Sequence, residues 1–188
     1  MKNISYAFAV GILMYAQVCT RSDIAYVVGT SDLEVIAYSN SNYDSRKSTY
    51  GYVFMLTDGA VSWRSVKQTL IVTSIMEVEF VSCFETTLHG VWLKSFISKL
   101  RVVNLIFKPL KLYCDKSIAM FMTKNNKNGS RSKHIDIKYL AMRKCVKEKN
   151  VVIEHVSTKL MIVDPLIKGM PPKNFKDHVV RMRLGSMT

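Results

Sequence analysis

Residues Tyr50-Gly-Tyr-Val-Phe-Met-Leu-Thr-Asp-Gly-Ala-Val-Ser-Trp-Arg-Ser-Val-Lys67 decide the fold class. Tyr50, Tyr52, Phe54 and Leu56 alternate on one side, the two-residue period of a half-buried strand. Asp58-Gly59 is a hairpin signal, and residues 60–67 return as the next strand around Trp63. Upstream, residues 33–39 read as a first strand and residues 41–49 as a polar loop with Asp44, Arg46 and Lys47. Downstream the period changes: Phe80, Phe84, Leu88, Trp92 and Phe96 recur every four residues, a core-facing helical stripe. Residues 111–115 then form a short strand, 118–122 and 135–146 helices, and 151–156 a β-branched strand whose Glu154 faces solvent. Asp164 opens a short helix, and Phe175, Val179 and Met182 mark a terminal one. The order β-β-β-α-β-α-α-β-α predicts an α/β fold with a mixed sheet.

The 188 residues suffice for one domain with a proper core, and a hydrophobic share of 48% argues against global disorder. The net charge of +13 is unevenly placed. Residues 1–100 hold 8 basic and 8 acidic side chains, whereas residues 101–188 hold 19 and 6. A basic half of this kind predicts a polyanionic partner, nucleic acid before an anionic membrane. Cys19, Cys83, Cys114 and Cys145 form no Cys-x-x-Cys pair, so reduced buried thiols are expected. Lys2 precedes an apolar stretch, residues 6–19, which is too short and interrupted to span a membrane and has no small-x-small site after it. The expectation is an intracellular protein of cytoplasm or nucleus and not of a membrane, against the less favoured alternative of a secreted protein that uses residues 1–19 as a signal.

Three acids lie in apolar surroundings: Glu79 in Met-Glu-Val-Glu-Phe-Val, Asp115 after Leu-Tyr-Cys, and Asp164 in Ile-Val-Asp-Pro-Leu. Isolated buried carboxylates are costly unless a cation meets them. Strand and helix ends that bring them together would form a metal site. A fourth strand end, residues 37–43, offers Asn40 and Asn42 where acids would be expected. Plainer roles exist. Asp115 could cap the next helix, Asp164 could be an N-cap before Pro165, Asp136 a first-turn acid, and His134 a structural hydrogen-bonder.

Several longer words then carry a resemblance: Asp-Ser-Arg-Lys-Ser-Thr (44–49), Gly-Tyr-Val-Phe (51–54), Gly-Ala-Val-Ser-Trp-Arg-Ser (59–65) and Met-Glu-Val-Glu-Phe (76–80). Leu-Tyr-Cys-Asp (112–115), Ser-Lys-His-Ile-Asp-Ile-Lys-Tyr (132–139) and Val-Asp-Pro-Leu-Ile-Lys-Gly-Met-Pro-Pro-Lys (163–173) complete them in order. The chain resembles the ribonuclease H region at the C-terminal end of the copia-type LTR-retrotransposon Pol polyprotein. The resemblance implies a ribonuclease H-like fold, a mixed five-stranded sheet flanked by helices, over residues 30–188. It makes residues 1–29 a remnant of the upstream reverse transcriptase region, joined near Gly29 without the stretch that normally intervenes.

The implied reaction is two-metal hydrolysis, with Mg2+, of the RNA strand of an RNA:DNA hybrid. Glu79, Asp115 and Asp164 match three catalytic, metal-binding carboxylates, which makes Glu77 the surface acid of its pair. Asn40 stands at the first catalytic Asp, Ile167 replaces a Thr, and Lys116 replaces an Asn. Arg131, Lys133, Lys138, Arg143 and Lys144 are the candidates for phosphate contact. The implied partners are the hybrid and the parent reverse transcriptase domain. The expectation is a degenerate domain with impaired catalysis and weakened Mg2+ binding. The alternatives are a non-catalytic basic nucleic-acid-binding module, or a decayed fragment without a stable product.

Overall fold

The computed structural model describes residues 34–43, 48–56, 59–68, 74–99, 108–114 and 133–182. The helix expected over 118–122, the polar loop after it, residues 1–29 and Asp115 lie outside the described residues. Five strands form one sheet: β1 (Val35–Asn42), β2 (Thr49–Leu56), β3 (Gly59–Lys67), β4 (Leu110–Cys114) and β5 (Val151–His155). The spatial order is β3-β2-β1-β4-β5. β1 to β3 pair antiparallel, with Leu56 opposite Gly59 at the hairpin, and β4 and β5 run parallel to β1. The sheet is therefore mixed, as expected, and has β1 at its centre.

The helices are α1 (Ile75–Lys99), α2 (Lys133–Lys147), the four-residue α3 (Asp164–Ile167) and α4 (Pro172–Arg181), with a 3-10 turn at Thr158–Leu160. β2 is not half-buried, because Gly51 to Leu56 are all buried. One face of the sheet, with Tyr52, Phe54 and Leu56, packs on Phe80, Cys83, Phe84 and Leu93 of α1 and on Tyr139 and Met142 of α2. The other, with Val53 and Met55, packs on Met161, Ile162, Val163 and Met182. An inner strand covered on both faces loses its polar alternation.

The four-residue stripe of α1 also needs correction. Phe80 and Phe84 are buried, but Leu88 and Trp92 are 49% and 56% exposed. An α-helix turns every 3.6 residues, so each four-residue step overshoots by about 40°. The buried face passes instead to Gly90 and Leu93, with Ile97 against the cluster. A Cβ on Gly90 would collide with the Leu110 side chain and lie 2.9 Å from Phe54 Cε1. The missing side chain lets α1 lie close against the sheet.

Candidate active site

Because β1 and β4 are parallel, their C-terminal ends lie at the same end of the sheet. Val35, Ala37 and Ser39 are buried, while Ile36, Tyr38 and Asn40 alternate with them on the opposite face. Ser39 is held by α1: its Oγ lies 2.7 Å from Ser82 Oγ and 3.0 Å from Thr86 Oγ1. Thr86 Oγ1 donates to Ser82 O at 2.7 Å, and Ser82 Oγ donates to Asn40 O at 3.2 Å. This hydroxyl ladder fixes the β1 end against the first turns of α1.

Glu79 is half-buried, one turn before Cys83. A hydrogen bond with Cys114 pushes the buried Cys83 thiol well above its ordinary value; desolvation adds to this, and Glu79 contributes a smaller push. Glu79 thus lies near Cys83, whose thiol meets Cys114 and Ser39. Among the described residues Cys83, Cys114 and Cys145 are free thiols, the first two buried as expected and Cys145 half-buried; Cys19 lies outside the described residues. Asp115 follows Cys114 directly in the chain but lies outside the described residues.

Asp164 reaches this end of the sheet from the other face. It is 4% exposed and is the first residue of α3, not its N-cap. The Asn40 amide Nδ2 donates to Asp164 Oδ1 at 2.8 Å, and Lys168 Nζ lies 2.7 Å from Oδ2. Asn40 Oδ1 in turn accepts from the Ser41 backbone N–H at 2.8 Å. Since a carboxylate can only accept, the Asn40 atom that faces Asp164 must be the N–H. Gly51, opposite Asn40 in the β1–β2 register, makes the approach possible. A Cβ there would lie 2.7 Å from Ile167 Cγ2 and 3.2 Å from Arg64 O. Ile167, where the resemblance led us to expect Thr, is buried in that contact.

Asn40 and Asp164 therefore meet, and Glu79 stands at the same sheet end. No group of three His, Cys, Asp or Glu able to hold a metal occurs among the described residues. Four features lie outside the candidates named from the sequence: Lys168, Gly51, the Ser39–Ser82–Thr86 ladder and the buried His178. Lys168 carried a usable signal, the spacing of four after Asp164 that lets an acid and a base meet across one turn, although it stands just past the end of α3. The ladder carried none, because serine and threonine in an apolar helix have no fixed period.

Of the phosphate-contact candidates, Lys138 turns inward, its Nζ 2.6 Å from Glu85 Oε1 and 5.0 Å above the Phe84 ring. Lys144 is exposed and lies 3.8 Å from Glu148, and Arg143 is exposed. Arg131 and the Lys133 side chain lie outside the described residues. No helix among the described residues is long and apolar enough to cross a membrane.

No family model matches the chain. It is 31% identical over 215 residues to the retrovirus-related Pol polyprotein from transposon TNT 1-94 of Nicotiana tabacum, across 94% of this chain and 16% of that protein. It is 32% identical over 154 residues to the corresponding polyprotein of transposon RE1 of Arabidopsis thaliana, across 80% of this chain and 10% of that protein. The chain thus spans well under a quarter of these relatives. A shorter relative, secreted RxLR effector protein 161 of Plasmopara viticola, is 34% identical over 133 residues, across 50% of this chain and 94% of that protein. Among solved structures, RNase H1 from Halobacterium salinarum NRC-1 matches with a TM-score of 0.52 and 15% identity, across 77% of this chain and 98% of that one. LC11-RNase H1 in complex with an RNA/DNA hybrid matches with a TM-score of 0.51 and 15% identity, across 71% and 94%. The fold is that of ribonuclease H.

Proposed function

We propose that this chain, which belongs to the family of retrovirus-related Pol polyproteins of transposons, is a degenerate ribonuclease H domain that binds RNA:DNA hybrids and cuts the RNA strand weakly or not at all. The observation that carries this reading is the 2.8 Å hydrogen bond from Asn40 Nδ2 to Asp164 Oδ1. Ribonuclease H chemistry uses two divalent ions, Mg2+ by preference, which activate water and stabilise the leaving oxygen. Such hard ions want several anionic oxygens. Here the position matching the first catalytic Asp presents an N–H to its neighbour, and its own oxygen is taken by Ser41 N–H. Lys168 holds the second oxygen of Asp164. The described arrangement does not fit a two-ion centre. In our reading Glu79, Asp115 and Asp164 retain only weak affinity for Mg2+.

Support for a nucleic-acid partner comes from the charge of +13 and from the hybrid bound by LC11-RNase H1. We read residues 1–29 as a remnant of the parent reverse transcriptase. The alignment with the tobacco polyprotein, at 215 positions, is longer than the chain itself, so that relative carries residues this chain lacks.

Cleavage of a labelled RNA:DNA hybrid tests the proposal, in magnesium and in manganese. The native chain is compared with Asn40→Asp and with the Asn40→Asp, Asn42→Asp double variant. The variants should cut at least ~10²-fold faster than the native chain, the scale of restoring a catalytic group. A native chain that cuts the hybrid measurably, and as fast as either variant, would overturn the reading. That both oxygens of Asp164 are already engaged, by Asn40 and Lys168, favours one second reading, a binding module without catalysis. That case would retain hybrid in a gel shift while neither variant cuts.

A further inference from the structure

Beside the candidate centre lies a second cleft, of about 510 Å³, between the 3-10 turn at Thr158–Leu160 and α4. It shares Asp164 and Lys168 with the centre and adds Lys159, Asn174, Asp177, His178 and Arg181. We infer that it holds one nucleotide of the polynucleotide strand engaged at Asp164, with the phosphate on Lys159 and Arg181 and the sugar or base edge on Asn174 and Asp177. The inference rests on the hybrid-binding reading above and adds a site to it.

Charge argues for the phosphate. Three cations face two carboxylates in the cleft, and one carboxylate, Asp164, is already paired with Lys168 at 2.7 Å. Arg181 is pre-positioned, because its Nη1 donates to the Lys159 carbonyl at 2.8 Å. That bond uses one of five guanidinium N–H donors and leaves the fork free for an oxyanion. Asp177 argues against a bare anion. A carboxylate repels phosphate but accepts from a ribose hydroxyl or a base N–H, groups that a nucleotide supplies. The volume lies within the range of small-ligand clefts and exceeds the needs of one phosphate group.

His178 supplies the independent sign of an incomplete site. It is 8% exposed, and its Nδ1 has no hydrogen-bond partner among the described residues. Buried polar atoms are nearly always paired, and exceptions occur where a ligand or water completes the environment.

Two measurements test the inference. Fluorescence anisotropy with a labelled hybrid compares the native chain, Lys159→Gln, Asn174→Ala and a double Arg143→Gln, Lys144→Gln variant. Lys159→Gln should weaken binding about tenfold and flatten the log Kd against log salt slope by about one. An unchanged slope and affinity in Lys159→Gln, with the native chain binding the hybrid, would overturn the cleft and leave the proposed function standing. Failure of the native chain to bind any hybrid would overturn the proposed function instead. The cleft is then judged by proton NMR of the native chain titrated with AMP or with inorganic phosphate. AMP should shift the His178 ring signals at lower concentration than phosphate. No shift with AMP, or equal potency of phosphate, would overturn the nucleotide assignment.

Discussion

Asn40 removes a charge from a place where two would collide. Its amide donates to a carboxylate that is 4% exposed, and Lys168 meets the other oxygen. The buried acid is therefore satisfied without a metal ion. Asn40→Asp replaces a donor by a second acceptor about 2.8 Å from Asp164 Oδ1, so the metal-free variant should lose about 1–3 kcal/mol, the cost of an unmet buried polar group. Thermal melts check this. Asn40→Asp should melt below the native chain in EDTA and regain stability with manganese, by the mass action of a ligand that binds only the folded state. Equal melting in EDTA would mean that the bond contributes nothing. Lys168→Met should also destabilise, by about 2 kcal/mol, because it strips from a buried acid the cation paired with it among the described residues. Solvent screens the pair, because the Lys168 side chain is 39% exposed, and the loss stays below that of a fully buried pair. Urea denaturation of the two proteins measures it.

At the level of elements, α3 owes its position to an absent side chain. Gly51→Ala would place a methyl 2.7 Å from Ile167 Cγ2 and 3.2 Å from the fixed Arg64 carbonyl. The expected cost is about 1–3 kcal/mol of overpacking strain. In a double-mutant cycle Ile167→Ala should return part of it, a non-additivity expected of touching residues. Strict additivity would show that the backbone contact dominates. The same region shows what the sequence could reveal. The Asp58-Gly59 turn and the alternation of residues 50–56 were local signals, and β2, β3 and their hairpin followed from them. Five strands and a mixed sheet were legible through the order of elements. The drift of α1 was not, because spacing by four looks periodic over two turns and departs visibly only over five. Both-sided burial of β2 was hidden for another reason: Val53 and Met55 meet residues 161–163, more than a hundred positions away. The Asn40–Asp164 meeting was read as residue identities, but its geometry depends on Gly51, whose role appears only when the two faces are assembled.

Over the whole molecule, charge and two desolvated imidazoles, half-buried His89 and buried His178, push stability the same way with pH. Burial lowers the pKa of His89, which lies among the Tyr52, Phe54 and Trp92 rings, and Arg64 lowers it further. Burial likewise lowers His178, against an opposing pull from Asp164. A base with a depressed folded pKa takes up its proton more readily when unfolded. Its contribution to stability is complete above the unfolded value of about 6.5 and is lost as pH falls through the window below it. The chain also carries +13, and further protonation adds self-repulsion. Salt separates the two causes, since screening acts on exposed charges more than on the desolvation of a ring. Melting temperatures at pH 7.5 and 5.5 should therefore differ in both low and high salt, with the acid destabilisation only partly relieved by salt. His89→Gln should shrink the part that salt leaves. A pH difference that disappears in high salt would assign the whole effect to net charge and remove His89 from the account.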